Sequence, residues 1–310
     1  MPLWRTNLKR VLVTGGAGFI GGHLVKRLLL DGYEVVVLDD LSTGQLSKVP
    51  NQATFLQGSV LDRELVDATI ENVDACIHLA AIASVLRCNG ELVSSHEVNA
   101  TGFLRVVEAI SRINRDVPLL YASSAAVYGA NESSPLHEEL KTDPISPYGV
   151  DKMSCELHAR AAYEVYGIST FGFRFFNVYG PGQDSSSPYS GVITKFAEKI
   201  KRGEKLSIFG DGEQTRDFVF VGDIVDCLVA ALRQGTTGAK VLNVCTGEKV
   251  SINELARIIT EIFETDPNVE HTAAMVGEVR HSVGDPSRLM AQLGCGATTS
   301  LREGLRSFLT

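Results

Sequence analysis

Residues 9–14 form a short apolar run, and from residue 19 to 30 the apolar positions recur at helical spacing until Gly32 stops them. A second, β-branched run at 34–38 ends on Asp39. Strand, helix and strand within about thirty residues is the unit of a parallel sheet. The alternation continues. Residues 53–56, 75–79, 118–122 and 169–175 read as strands, with amphipathic stretches such as 98–110 and 148–166 between them. The repetition predicts an α/β fold, a doubly wound parallel sheet with helices on both faces. After Asn177 the pattern loosens, and Gly180-Pro181-Gly182 and Ser185-Ser186-Ser187-Pro188 make a long irregular segment of a kind that is often functional. Ordered runs return at 218–221 and 241–244, and a helix is predicted over 253–263. The expected organisation is a nucleotide-binding core, residues 1–176 and 216–249. A smaller, discontinuous C-terminal lobe, residues 177–215 and 250–310, lies over the carboxyl ends of its strands.

Composition narrows the function class. A chain of 310 residues can bury a sizeable core, and 44% hydrophobic with 21% charged residues is an ordinary globular balance. A net charge of −8 argues against a duplex nucleic-acid binder. The apolar runs are strand-sized, so no membrane span is expected, and the start Met1-Pro2-Leu3-Trp4-Arg5 has no apolar signal core. The six cysteines show neither C-x-x-C pairing nor metal-ligand spacing, so they read as core thiols of a cytoplasmic protein and no metal site is expected.

Candidate chemistry begins where the first strand meets its helix. Gly15, Gly18 and Gly21 stand at G-x-x-G-x-x-G spacing, which lets the backbone turn tightly and approach a pyrophosphate at the helix N-terminus. This is the Rossmann-like signature, and Asp39, ending the second strand, is placed to bind the adenine-ribose hydroxyls. Asp39-Asp40, with no Arg or Lys before Lys48, would repel a 2′-phosphate, so NAD is favoured over NADP. Further along come Ser123-Ser124 and then Tyr148-Gly149-Val150-Asp151-Lys152. Four positions apart on a helix, Tyr148 and Lys152 share a face at about 6 Å along the axis. A nearby ammonium favours the phenolate and draws the tyrosine's pKa down from about 10. An isolated Tyr-x-x-x-Lys is usually a solvated helix pair. The glycines and serines upstream instead describe a base beside a nicotinamide.

These motifs, with His78-Leu79-Ala80-Ala81, Asn99-Ala100-Thr101-Gly102, the run Ser123 to Gly129, Arg174-Phe175-Phe176-Asn177-Val178-Tyr179-Gly180-Pro181-Gly182 and Gly210-Asp211-Gly212-Glu213-Gln214-Thr215-Arg216-Asp217-Phe218, cover nearly the whole chain. Together they resemble the extended short-chain dehydrogenase/reductase superfamily and, within it, NAD-dependent epimerases of the UDP-glucose/UDP-N-acetylglucosamine 4-epimerase type. The resemblance implies that Phe19, Ile20, Asp39, Asp40, Leu41, Ser42, Thr43 and Gly44 line the cofactor. It adds Ser59, Val60, Leu79, Ala80, Ala81, Ala83, Asn99, Ser123, Tyr148, Lys152 and Phe176 to that lining. It likewise implies that Ser84, Ser124, Tyr148, Asn177, Val192, Ser207, Ile208, Arg216, Arg280 and Ser282 meet a UDP-sugar. Two departures stand out. Gly58-Ser59-Val60 puts Ser59 where the family has a carboxylate, and Met275-Val276-Gly277-Glu278 lacks the family's diphosphate arginine, leaving Arg216, helped by Arg280.

The expected reaction is reversible oxidation at a carbinol carbon, with Tyr148 as base, Lys152 tuning it and Ser124 bonding the reacting oxygen. Sister dehydratases and decarboxylases carry an acid beside the serine, whereas this chain has Ala125-Ala126. That favours a UDP-hexose 4-epimerase acting on UDP-Glc/UDP-Gal and also on UDP-GlcNAc/UDP-GalNAc. The alternatives are another nucleotide-sugar enzyme (UDP-glucuronate 4-epimerase, 4,6-dehydratase or reductase) or a non-catalytic NAD-binding regulator. The resemblance further implies a homodimer through helices 99–110 and 148–166, and a gate for the sugar's 2-substituent at Ser282.

Overall fold

The computed structural model describes residues 8–113, 115–131, 133–183, 191–235, 237–274 and 279–309. The calls for a variant run at 275–278 and for an irregular stretch at 185–188 therefore lie outside the described residues. Strands β1 (Arg10–Thr14), β2 (Glu34–Asp39), β3 (Thr54–Gln57), β4 (Ala75–His78), β5 (Leu119–Ser124) and β6 (Thr170–Phe175) join Ala239–Val244 in one seven-stranded sheet. From one edge the order is β3, β2, β1, β4, β5, β6, Ala239–Val244, parallel throughout. Sequence order reverses between β1 and β4, where Thr14 is level with His78. At such a reversal the connections leave to opposite faces and open a crevice over the strands' carboxyl ends.

Both faces are covered. On one side Leu24, Val25 and Leu28 of helix Phe19–Leu30 and Ile224, Leu228 and Leu232 of helix Val221–Gln234 pack in a common core with Val11, Val13 and Phe173. On the other, helices Arg63–Ile70, Gly102–Arg112 and Pro147–Tyr166 cover Leu12, Cys76, Leu119 and Tyr121. The long helix starts as its sequence dictates. Ser146 Oγ accepts Gly149 N–H at 3.1 Å, Pro147 occupies the first turn, and left-handed Gly167 ends it.

The smaller lobe has its own core, in which Ile193, Phe196, Leu206, Ile208, Leu255, Ile259 and Leu305 come from both expected segments. Two details differ from the expected boundaries. Phe218 joins the lobe core, its strand Phe218–Phe220 pairing with Asn177–Tyr179 outside the main sheet. Leu289 of helix Ser287–Leu293 joins the main core instead of the lobe's. The ordered run expected at 218–221 divides between strand Phe218–Phe220 and helix Val221–Gln234.

Asp217 ties the lobe to the sheet. It is fully buried, and its carboxylate accepts the N–H groups of Thr246 (2.8 Å), Gly247 (2.9 Å) and Gly284 (3.3 Å) and the Thr246 hydroxyl (2.7 Å). Its backbone N–H donates to Ser282 O at 3.0 Å and its carbonyl accepts from Asn177 N at 2.9 Å. Strand Thr215–Arg216 thus lies between Val250–Ser251 and His281–Ser282, with Arg216 level with Ser282.

Candidate active site

The Gly-rich turn fits so tightly that Gly15 and Gly21 cannot be replaced. Gly15 has φ +69°, and a Cβ there would lie 2.7 Å from Ala80 N; one on Gly21 would lie 2.1 Å from Gly15 O. Gly18 caps helix Phe19–Leu30 without a side-chain bond, and the helix has no acidic residue in its first turn. Its N-terminus therefore offers uncompensated positive dipole to an anion. Asp39 is 8% exposed; Oδ2 accepts Ala17 N–H and Oδ1 accepts Leu41 N–H, both at 2.9 Å. Leu41 takes φ +61°, Asp40 accepts Ser42 N–H, and Gly44 is pressed against Asp39 Oδ1, so the loop through Thr43 wraps the carboxylate. Each Asp39 oxygen keeps lone-pair capacity for a ribose hydroxyl. Together the cradle, the open helix end and the carboxylate fit a dinucleotide.

Thr14 Oγ1 bridges His78 Nδ1 (2.9 Å) and Ala80 N–H (3.2 Å), which sets the Leu79–Ala81 backbone at the reversal point. Asn99 sits in a wide helical turn, Glu97–Thr101, at 1% exposure. Its amide is spent on the backbone of Ile82, Oδ1 accepting at 2.7 Å and Nδ2 donating at 3.3 Å. It therefore shapes the loop carrying Ala81 and Ala83, where the expectation was direct lining. Ser59 Oγ accepts Leu61 N–H at 3.1 Å, and Val60 is buried under Gly102. Phe176 is also buried, its ring against Tyr128 and Gly284, so it supports the crevice floor.

The chemistry lies at the ends of β5 and the long helix. Lys152 is 3% exposed, donates to Ala122 O at 2.9 Å, and holds Nζ 5.7 Å from the centre of the Tyr148 ring. Tyr148 and Ser124 are both half-buried, and Ser124 Oγ accepts Ala126 N–H at 3.2 Å, leaving its own proton available. Ser123 is buried, and its hydroxyl donates to Glu156 at 2.5 Å.

On the lobe side the expected residues divide. Arg216 is half-buried and level with Ser282, and Asn177 is exposed beside the Asp217 carbonyl. Val192 opens helix Val192–Lys201 behind Gly191, and Ser84 Oγ caps Val85–Gly90 through Arg87 N–H at 3.2 Å. Arg280 forks onto Asp211 at 2.7 Å through both nitrogens, holding that carboxyl down to about 2. Ser207 is engaged by Lys199 (2.7 Å) and Glu270 (3.2 Å), while the Ile208 side chain lies in the lobe core and its carbonyl accepts the Thr272 hydroxyl at 3.3 Å. Thr14, His78, Glu156, Arg174 and Asp217 are functional supports that sequence reasoning missed. The runs that hold His78, Arg174 and Asp217 were visible, but burial and partners were not. Among the described residues no His/Cys/Asp/Glu group could hold a metal, and no helix is long and apolar enough to cross a membrane.

The NAD dependent epimerase/dehydratase family model matches residues 11–245. The UDP-glucose 4-epimerase of Mycolicibacterium smegmatis is 34% identical over 302 residues, covering 96% of each chain. A UDP-N-acetylglucosamine 4-epimerase from Methanobrevibacter ruminantium, solved with UDP-N-acetylmuramic acid, superposes with TM-score 0.92 at 35% identity over 98% of this chain and 97% of that one. The Thermus thermophilus UDP-glucose 4-epimerase solved with NAD gives 0.89 at 34% identity, covering 97% of each.

Burial, reinforced by the Lys152 charge, pushes His78 down to about 3 from its ordinary 6.5. Below 6.5 the unfolded chain takes up a proton that the folded chain refuses. Stability from this group is thus complete above about 6.5 and falls toward pH 3, by up to about 1.4 kcal/mol per unit. Between pH 7 and pH 5 this predicts a loss of about 2 kcal/mol in urea unfolding, absent in His78→Asn. Equal losses in both proteins would dismiss the assignment.

Proposed function

Because this chain belongs to the NAD dependent epimerase/dehydratase family, we propose that it is a UDP-hexose 4-epimerase, interconverting UDP-Glc with UDP-Gal and UDP-GlcNAc with UDP-GalNAc through a 4-keto intermediate. The observation that carries this reading is a buried Lys152 under the Tyr148 ring at the strand ends, beside Ser124 and followed by two alanines. When bound, NAD supplies a hydride acceptor that later returns the same hydride. Gly15, Gly18, Phe19, Asp39 and Lys152 would hold it.

Tyr148 takes the C4 hydroxyl proton as the carbon becomes a ketone and returns it on reduction. Lys152 Nζ, 5.7 Å from the ring centre, places a fixed positive charge beside that tyrosine. Ser124 donates to the reacting oxygen. Ala125 and Ala126 offer no general acid, so elimination of water is not assisted. Asn177 and Arg216 hold the diphosphate, and a loose grip on the sugar lets the 4-keto ring present its other face.

The same helix suggests self-association. Val150, Leu157 and Val165 of Pro147–Tyr166 are 52%, 45% and 68% exposed, and Leu92 and Val93 border an apolar groove of about 570 Å³ with Ile145 and Val150. A homodimer packed on this face would cover them. On the same helix Ala159 and Ala162 are buried against this chain's own core, while Ala161 is exposed and small enough to allow close helix approach. All six cysteines are free, five of them buried, which suits a reducing compartment such as the cytoplasm.

Tyr148→Phe keeps the ring but removes the base, so turnover should fall by about three orders of magnitude or more with NAD still bound. Retention of over about a tenth of the wild-type rate, followed by NMR of the 4-epimers, would remove the tyrosine from that role. Ser282, level with Arg216, leaves space for an acetamido group, so Ser282→Tyr should abolish UDP-GlcNAc turnover and spare UDP-Glc. A variant that handles both pairs unchanged sinks the gate. Light scattering at micromolar concentration should give twice the chain mass, and Leu157→Glu should halve it; a monomeric wild type refutes the dimer.

A further inference from the structure

Glu156 lies one turn beyond Lys152 and two beyond Tyr148 on the same helix, at positions i, i+4 and i+8. It is not solvated. Arg174 clasps its carboxylate with Nε at 2.9 Å and Nη2 at 2.7 Å, the two side chains being 7% and 6% exposed. Ser123 Oγ adds a third bond to Oε1 at 2.5 Å. Ser123 and Arg174 are register partners on β5 and β6, so one carboxylate spans two neighbouring strands. The guanidinium also lies 4.7 Å from the centre of the Tyr128 ring. Burial works against the Arg174 charge, yet its bonds to Glu156 win and raise its pKa.

These strands carry the site. Ser124 follows Ser123, and Phe176 and Asn177 follow β6 directly. The helix is pinned to β5 at successive residues, through Lys152 to Ala122 O and through Glu156 to the Ser123 hydroxyl. A buried ion pair usually contributes little stability compared with apolar residues of the same volume. What a bidentate pair supplies is fixed geometry.

Building on the epimerase reading, we infer that Ser123, Glu156 and Arg174 form a positioning triad that sets the Tyr148–Lys152 helix against Ser124 and Asn177. None of the three touches the sugar. A slide of the helix along β5 would change the separation of Tyr148 from Ser124, and a misplacement of about 1 Å can cost roughly 100-fold in rate.

The test compares NAD-loaded wild type, Ser123→Ala and the double variant Glu156→Met/Arg174→Met for kcat and KM for UDP-Glc. Ser123→Ala should lower kcat about tenfold, and the double variant roughly 100-fold, with KM changed less than twofold. The double variant removes both charges and should keep the wild-type melting temperature within a few degrees. If Ser123→Ala and a folded double variant both turn over within twofold of wild type, the triad is only structural and the inference fails. If the double variant does not fold, Ser123→Ala alone decides by the same criterion. An inactive wild type would overturn the epimerase reading instead, whereas an active wild type with unaffected variants overturns the triad alone.

Discussion

The contact between Gly15 and Ala80 is the constraint on which the remainder depends. Adjacent parallel strands β1 and β4 send their chains to opposite faces, and the crevice between them stays open only if the first turn packs directly on the second. A side chain at Gly15 would push the Leu79–Ala83 loop away and, with it, the backbone that Thr14 and Asn99 hold. The turn also aims helix Phe19–Leu30 so that its uncapped end faces the crevice. Geometry and electrostatics thus share one cause. The turn suited to a pyrophosphate is one where two backbone segments pack directly on each other.

Charge inside the fold follows a consistent logic. Lys152, Asp217, Glu156 and Arg174 are all nearly excluded from water, and each is held by at least one fixed hydrogen-bond partner. An unpaired buried charge would cost several kcal/mol, so these residues hold their surroundings in a single arrangement. Asp217 does so at the seam between sheet and lobe. Its four donors come from segments far apart in sequence, and they bring Arg216 level with Ser282. On the proposed reading, diphosphate grip and sugar gate would be held by the same buried carboxylate.

Much of this was legible in the chain. Residue order determined the alternation of strands and helices, because side-chain periods of two and 3.6 imprint themselves on apolar spacing. It determined the Gly-rich turn, the Ser146-Pro147 helix start and the Tyr148–Lys152 pairing, because each depends on neighbours within a turn or two. It also determined which carboxylates are missing beside Ser124.

Tertiary structure alone decided the rest. The run 218–221 could not show that it splits into a lobe strand and a core helix, since the partner, Asn177–Tyr179, lies some forty residues away. Asn99 and Ser123 looked like cofactor contacts, yet Ile82 and Glu156 take up their polar groups. Ser207 and Arg280 likewise find partners in Lys199 and Asp211, contacts bridging 8 and 69 positions. The physical reason is the range of the interaction. Local backbone preference is written in adjacent residues, whereas a hydrogen bond's partner is fixed only when the sheet order brings distant segments within about 3 Å.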